Sequence, residues 1–549
     1  MTHVVAIILA KERRLVGRMR AAGAVSRERA RTLEELGIAR GVALRRLRER
    51  AVVRQAGPDR FYLDEESWEA VRRQRRRAAS IIVAIALALV LALIFGTRIA
   101  FAQRAAWPEV DTVFADLDRR DSPGCAVAIF QDGKITYERG YGMASLEHDV
   151  PITPDTVFYA GSVSKQFTAM AAALAIQKGR LTADDPIRKW LPELPAYADA
   201  ITVRHLVHHT SGLRDYNTLL SIAGRRGDEA YDNATVLRMT ARQTGLNFPP
   251  GTEYLYSNTG YTLLATIVER ATKTPFADWA DSQIFTPLGM RITHFHTDTG
   301  RLVKWRAMAY GRLGDGTYRL DTPSNERAGA GGLYTNVRDL LKWDENFYTA
   351  KVGGAQLIED VQTPGRRKNG EALTYAWGLM VGSYRGARIV EHSGSLGGYR
   401  AHTLRFPQHH TSVVALCNLG SANPGARARR VADVLLGSRL TPPSPAPNAS
   451  NQGGNRGRGD GSPADPKVDA ASYAAYAGTY HSDEIDSTFT LTVSEGRLML
   501  QRDTDAEPAM MQPTAPGSFR ARGLTMRFDR GALLVDAGRV LNIRFVRRR

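Results

Sequence analysis

Ser162 and Lys165 stand three residues apart in Phe158-Tyr-Ala-Gly-Ser-Val-Ser-Lys-Gln-Phe-Thr-Ala-Met170. A serine hydroxyl is a weak nucleophile until a base takes its proton, and a lysine serves once burial and neighbours lower its own pKa. Phe167, Met170, Ala171 and Leu174 recur with helical spacing and Lys178-Gly179 closes the pattern, which places Ser162 at a helix start and Lys165 one turn on, on the same face. A helix start also offers partial positive charge and a free backbone N–H, the parts of an oxyanion hole. Ser164 is adjacent to Lys165, faces elsewhere and is the poorer nucleophile.

A second piece is Phe248-Pro-Pro-Gly-Thr-Glu-Tyr-Leu-Tyr256-Ser-Asn258-Thr-Gly-Tyr261. In extended chain, residues two apart point the same way, so the Tyr256 hydroxyl and the Asn258 amide can reach one cleft. A phenol near a lysine can be held as phenolate and act as a base; the same residues also fit a buried tyrosine and a turn asparagine. A third piece is Ile389-Val-Glu-His392-Ser393-Gly394-Ser395-Leu-Gly-Gly398, strand-like residues running into a glycine that lets another backbone come close. His392 fits an ordinary strand-end histidine equally.

His205, His208 and His209 cluster, and His294/His296 and His409/His410 form pairs. None has the H-E-x-x-H pattern or a paired cysteine set, so no metal and no cofactor is expected. G-x-S-x-G and the G-x-x-x-x-G-K-[ST] loop are both absent.

The elements that must position these residues follow from composition. The chain has 549 residues and a net charge of +18, a length that suggests three or four domains. Residues 1–77 hold 20 basic and 10 acidic residues. Ser26 to Leu36 and Ala39 to Arg50 read as helices, and Ala51-Val-Val-Arg-Gln55 and Arg60-Phe-Tyr-Leu63 as a hairpin around Ala56-Gly-Pro-Asp59. That order resembles a small winged-helix domain, which makes residues 1–77 a candidate contact for nucleic acid; a juxtamembrane module with arginines facing solvent or anionic lipid fits as well. Ala78 to Thr97 is uncharged and long enough to span a bilayer. The cluster Arg72-Arg-Gln-Arg-Arg-Arg77 before it predicts that residues 1–77 stay in the cytoplasm. Residues 78–102 are therefore expected to be a single-pass anchor in the cytoplasmic membrane, with everything after them periplasmic or extracellular. Cleavage after Ala102, as in a signal peptide, would release the rest as a secreted protein.

From 103 to 439 strand-like and helical stretches alternate as in one α/β catalytic domain. Residues 440–467, rich in Pro, Gly, Asn and Arg, read as a flexible linker. Residues 468–549 carry period-two runs (Ser487 to Val493, Arg497 to Leu500, Leu524 to Phe528, Ala532 to Val535, Val540 to Phe545) that argue a small antiparallel barrel or sandwich. Cys125 and Cys417 each lie in an apolar strand-like run and are expected to be buried free thiols.

Taken together, the S-x-x-K of Ser162/Lys165, the Y-x-N of Tyr256/Asn258 and His392-Ser393-Gly394 at the position of K-T-G resemble the serine β-lactamase and penicillin-binding-protein superfamily, in its branch of class C β-lactamases, D-amino-acid peptidases and carboxylesterases. Leu206-Val-His-His-Thr-Ser-Gly-Leu213, Pro287-Leu-Gly-Met290 and Ala330-Gly-Gly-Leu-Tyr-Thr335 add to the likeness, which covers about Trp107 to Leu436. The C-terminal segment, with Tyr476-Ala-Gly-Thr-Tyr480, resembles the lipocalin-like domain of some peptidases in that branch. The resemblance implies an α/β (α+β) catalytic domain with an antiparallel sheet flanked by helices, and an acyl-enzyme on Ser162. Lys165 and Tyr256 would shuttle protons and Asn258 would hold the substrate amide. His392, Ser393, Gly394 and Ser395 would line the site, with the N–H groups of Ser162 and Ser395 as oxyanion hole. His392 in place of the family's lysine lessens the charge offered to a substrate carboxylate. It tilts the expectation from β-lactams toward D-amino-acid peptides, amides or esters. The alternative is a transmembrane sensor with an acylatable outer domain and a DNA-binding inner module.

Overall fold

The computed structural model describes residues 2–77, 80, 81, 85, 87, 107–225, 231–324, 327–442 and 470–548. The chain divides into two compact units, Met1–Ala105 and Ala106–Arg549. The expected linker 440–467 lies almost entirely outside the described residues, as does the expected anchor 78–102 but for four residues. Among the described residues no helix is long and apolar enough to cross a membrane.

The first unit runs from helix Thr2–Ala21 through the short strand Arg31–Thr32 and helix Val42–Glu49 to a hairpin of Val53–Gly57 and Arg60–Leu63 and a helix over 65–77. Its three strands order with Arg60–Leu63 in the middle, and Leu44 and Leu47 face the core with Phe61, Leu63 and Trp68. The helix expected from Ser26 to Leu36 does not form. Thr32 and Glu35 instead bond each other reciprocally, the Thr32 N–H donating to Glu35 and the Glu35 N–H to the Thr32 hydroxyl. That capping box starts a single helical turn after the strand, and the strand itself is held by Phe61 and Arg60.

In the second unit a six-stranded antiparallel sheet runs in the order Met380–Tyr384, Ala387–Leu396, Tyr399–Phe406, Thr411–Cys417, Cys125–Gln131, Lys134–Tyr141. Its strands Thr411–Cys417 and Cys125–Gln131 are buried on both faces, so they read as nearly continuous apolar runs rather than alternating ones. Cys125, Val127 and Ile129 join helices Pro108–Phe114 and Pro424–Leu436 on one face. Ala126, Ala128 and Phe130 join helices Ser164–Gln177, Asn258–Thr272 and Val337–Thr349 on the other. Of the 14 residues of Ser164–Gln177, 12 are buried, so the helix that carries Lys165 is walled in on every side.

The cysteines are not free thiols. Cys125 and Cys417 are directly opposed in neighbouring antiparallel strands, and they form a disulfide across 292 residues of sequence. Two separate strand-like runs in a sequence do not disclose that they pair, or in what register.

The C-terminal region is a near-barrel of nine antiparallel strands. The five expected strands are present, together with Gly478–Ser482, Ala509–Met510, Gln512–Ala515 and Ser518–Ala521, which are short or broken by proline and carry little periodic signal. Its interior is filled by Phe489, Phe519, Phe545 and aliphatic side chains, and the same cluster takes in Leu219, Ile222 and Ala223 of the catalytic domain. Barrel and catalytic domain are thus one packed unit, clamped by a buried ion pair between Arg214 and Glu484, 4% and 6% exposed.

Candidate active site

Strand Phe158–Tyr159 pairs with Leu333–Thr335, and the chain then turns at Gly161 through one 3-10 turn, Gly161–Val163, into helix Ser164–Gln177. Ser162 is half-buried on that turn, whereas Ser164 is fully buried, its hydroxyl donating to the Gly161 carbonyl and accepting from the Leu333 N–H. The nucleophile candidate is therefore Ser162, and Ser164 braces the turn.

Lys165 Nζ lies 3.1 Å from Ser162 Oγ, 2.9 Å from Asn258 Oδ1 and 2.7 Å from the Ala330 carbonyl oxygen. Its side chain is sealed from solvent. Burial holds the amine well below the ordinary lysine range, and the nearby Arg539 pushes the same way while Asp215 opposes them. A neutral amine has two N–H donors and one lone pair. Two of these contacts are to carbonyl-type oxygens that accept from Nζ, and the third is to the Ser162 hydroxyl, which an unprotonated amine could accept from.

Tyr256 stands close enough to Ser162 for that hydroxyl to favour its ionised form, and Lys165 Nζ lies 4.8 Å from its ring centroid. The phenolate expectation is reversed here. Burial raises Tyr256 above the usual phenol range, and the Ser162 hydroxyl and the Arg539 charge only partly offset it. Tyr256 is a neutral hydroxyl that can both accept and donate.

The third motif comes in as the strand Ala387–Leu396. Met380–Tyr384 pairs only with its residues 387–391, so from His392 on, among the described residues, the strand has a partner on one side alone. Gly394 and Gly161 bring its open edge against the nucleophile turn. A Cβ at Gly394 would stand 2.0 Å from the Ala160 carbonyl oxygen and 3.1 Å from the Ser162 nitrogen, and one at Gly161 would stand 2.4 Å from the Ser395 nitrogen. Gly161 also has φ +55, a left-handed conformation that glycine adopts without strain. Glycine at both places lets the backbone around Ser395 approach the backbone around Ser162 this closely. Ser393 and Ser395 are exposed on the strand.

His392 is placed differently from Ser393 and Ser395. It is buried, with Nδ1 2.7 Å from the Ser393 carbonyl oxygen and Nε2 2.9 Å from the Tyr375 hydroxyl. Burial first, and Lys165 second, push its pKa down to about 3. A neutral ring donating from Nδ1 and accepting from Tyr375 fits both bonds. His392 supports the site from beneath through Tyr375 and brings no charge to it.

Several residues of the site were given no role by the sequence, although one, His209, lies in the Leu206–Leu213 segment that carries part of the likeness. His209, set aside above with His205 and His208, adopts φ +57; its ring centroid lies 4.2 Å from that of Tyr256 and 4.5 Å from that of Tyr375, and its Nδ1 accepts the Ser257 N–H. Asp215 accepts the Asn258 N–H at 2.6 Å and so fixes the start of the helix that presents Asn258. Arg539, on the barrel, has its guanidinium carbon 4.8 Å from the Tyr256 ring centroid. Among the described residues no cluster of three or more His, Cys, Asp or Glu side chains could hold a metal ion.

Comparison with known proteins places this geometry. The beta-lactamase family profile matches residues 110–438. Penicillin-binding protein 4* of Bacillus subtilis (strain 168) is 29% identical over 391 residues, 68% of this chain and 82% of that protein. D-aminopeptidase of Gluconobacter oxydans (strain 621H) is 29% identical over 325 residues, 58% of this chain and 60% of that protein. The penicillin-binding protein homologue from Pyrococcus abyssi shares the fold, with a TM-score of 0.53 at 22% identity over 79% of this chain and 95% of that one. The chain belongs to the β-lactamase family and is a serine hydrolase.

Proposed function

We propose that the chain hydrolyses an amide or ester of the D-amino-acid peptide class through an acyl-enzyme on Ser162. The observation that carries this is the sealed Lys165 amine, 3.1 Å from the Ser162 hydroxyl and held below the ordinary lysine range by burial. Lys165 takes the Ser162 proton as Oγ attacks the substrate carbonyl, and the N–H groups of Ser162 and Ser395 receive the developing oxyanion. Tyr256, close to the same Oγ, passes the proton to the leaving nitrogen or oxygen as its bond to the carbonyl carbon breaks. A water then attacks the ester, its proton returns along the same groups, and the acid leaves. The open edge of 392–396 suits an extended peptide substrate laid beside it, and the D-aminopeptidase relatives support amide chemistry.

The catalytic unit is proposed to face outward from a membrane anchor over 78–102. The Cys125–Cys417 disulfide supports an oxidising compartment, and Ile81, Ile85 and Leu87 are each more than half exposed, as lipid-facing residues would be. The test is a panel of D- and L-amino-acid amides and peptides, short esters and a chromogenic β-lactam, run on the full chain beside Ser162→Ala. Turnover of D-configured amides or esters that Ser162→Ala loses supports the reading; turnover unaffected by Ser162→Ala overturns it.

A second reading, a sensor whose inner module binds DNA, draws on the helix-then-hairpin order of the first unit with its three-stranded sheet. Among the described residues six of the 20 basic side chains of residues 1–77 are internally paired: Arg46 and Arg75 with the buried Glu12, Arg20 with Glu65, Arg54 with Asp64, Arg40 with Asp59 and Arg45 with Glu49. A duplex-DNA shift that weakens steeply with salt would favour this reading, and no shift at low salt would remove it.

A further inference from the structure

We infer that Arg539, carried into the catalytic site by the C-terminal barrel, is a substrate-binding residue that selects acyl donors bearing a carboxylate over those bearing a free ammonium. The inference rests on the Ser162 acyl-enzyme reading and narrows its substrate class.

Arg539 sits in the tight hairpin between barrel strands Ala532–Ala537 and Val540–Arg547. The hairpin is fixed to the catalytic domain through its backbone. The Arg539 carbonyl accepts from the Asn247 amide at 2.9 Å and from the Asp215 N–H at 3.4 Å, and the Leu541 N–H donates to Asn247 Oδ1 at 2.9 Å. Arg214 donates to the Leu541 and Asn542 carbonyls at 3.1 and 3.0 Å. A hairpin tied to the catalytic domain by these bonds places its one arginine reproducibly.

The guanidinium carbon stands 4.8 Å from the Tyr256 ring centroid, the same distance as Lys165 Nζ. The charges around it decide what it can do there. Lys165, His209 and His392 are all held toward their neutral forms by burial, whereas an arginine stays charged. Asp215 is the acid nearby: its Oδ2 accepts the Asn258 N–H at 2.6 Å and forms a loose ion pair with Arg539 Nη1 at 3.9 Å, too far for a hydrogen bond, so it balances part of the charge without using the guanidinium's donors. Among the described residues the Arg539 guanidinium makes no hydrogen bond, and 31% of its side chain remains exposed. A planar fork of donors beside the nucleophile, charged and with its N–H groups uncommitted, fits a carboxylate. It supplies from another domain the charge that the neutral His392 does not, and it repels a free α-ammonium.

The experiment compares the rates at which two matched phosphonate esters label Ser162 in the full chain, one neutral and one carrying a carboxylate at the far end of its acyl-like arm. The wild type is expected to react about tenfold faster with the anionic probe, a difference of about 1.4 kcal/mol. Arg539→Gln should bring the ratio of the two rates to about one, Arg539→Lys should keep part of it, and rising salt should compress the wild-type ratio. A wild-type preference for the neutral probe, or the same ratio in Arg539→Gln as in wild type, overturns the inference about Arg539. Failure of the neutral probe to label wild type at Ser162 instead overturns the acyl-enzyme reading beneath it. Because the readout is a ratio, general loss of reactivity in a variant cancels.

Discussion

A methyl group added at Gly394 would meet the Ala160 carbonyl oxygen at 2.0 Å and the Ser162 nitrogen at 3.1 Å. A carbon and a carbonyl oxygen approach to about 3.3 Å at closest, so Gly394→Ala must part the strand from the nucleophile turn by about 1 Å or more. Both contacts are backbone atoms of buried elements and neither can swing aside as a side chain would. The displacement falls on the two N–H groups proposed to hold the oxyanion. Loss of one such donor costs about a hundred- to a thousandfold in rate, about 2.7–4 kcal/mol. Overpacking should lower stability by a further ~1–3 kcal/mol, separable by melting. The assay is kcat/KM on the best substrate of the panel for wild type, Gly394→Ala and Gly245→Ala, a glycine with nothing within 4 Å of an added Cβ. Gly245→Ala should stay within about twofold of wild type, as surface substitutions away from special features do. A folded Gly394→Ala that retained more than a third of the activity would refute an oxyanion hole built from the Ser162 and Ser395 N–H groups.

With Lys165 as base, kcat/KM should fall on acidification as the amine takes a proton, and Lys165→Met should abolish turnover. The same group sets a stability slope. Its folded pKa lies below its unfolded value of 10.5, so the unfolded chain binds more protons between the two and stability rises with pH across that window. Denaturation series at several pH values should show this slope in wild type and lose its contribution in Lys165→Met. Replacing Cys125 and Cys417 together by alanine should destabilise the second unit by about 2–4 kcal/mol; an unchanged melting temperature would contradict the cross-strand bond. Arg214→Met leaves the Glu484 carboxylate buried without its partner, at a cost of about 3–5 kcal/mol. Calorimetry should then show the barrel loosening ahead of the catalytic domain, and a single unshifted transition would refute its role as clamp.

What the sequence discloses depends on whether a signal is local. Ser162 and Lys165 share a helix turn, so their spacing gives their juxtaposition directly. The strands around Phe489 and Leu533 were legible because alternation is written in consecutive residues. Cys125 with Cys417, and Arg539 with Tyr256, meet only after nearly three hundred residues have folded between them, and no local pattern announces either pairing. Arg539 looks in sequence like any hairpin arginine after a glycine. Ionisation was illegible for the same reason: whether Tyr256 is phenol or phenolate depends on how deeply Lys165, His209 and Tyr375 bury it. The missing helix after Ser26 is a different case. Ser26 and Thr32 are both capping residues, and the Glu35 that completes the box at Thr32 was present to be read.

The proposed chemistry turns on Ser162 as the acylated nucleophile with Lys165 as its base. Incubating the full chain with a neutral phosphonate ester and mapping the adduct by peptide mass spectrometry tests both together. A single adduct is expected, on Ser162, absent in Ser162→Ala and formed far more slowly in Lys165→Met. An adduct on another residue, or equal labelling of wild type and Ser162→Ala, would contradict it.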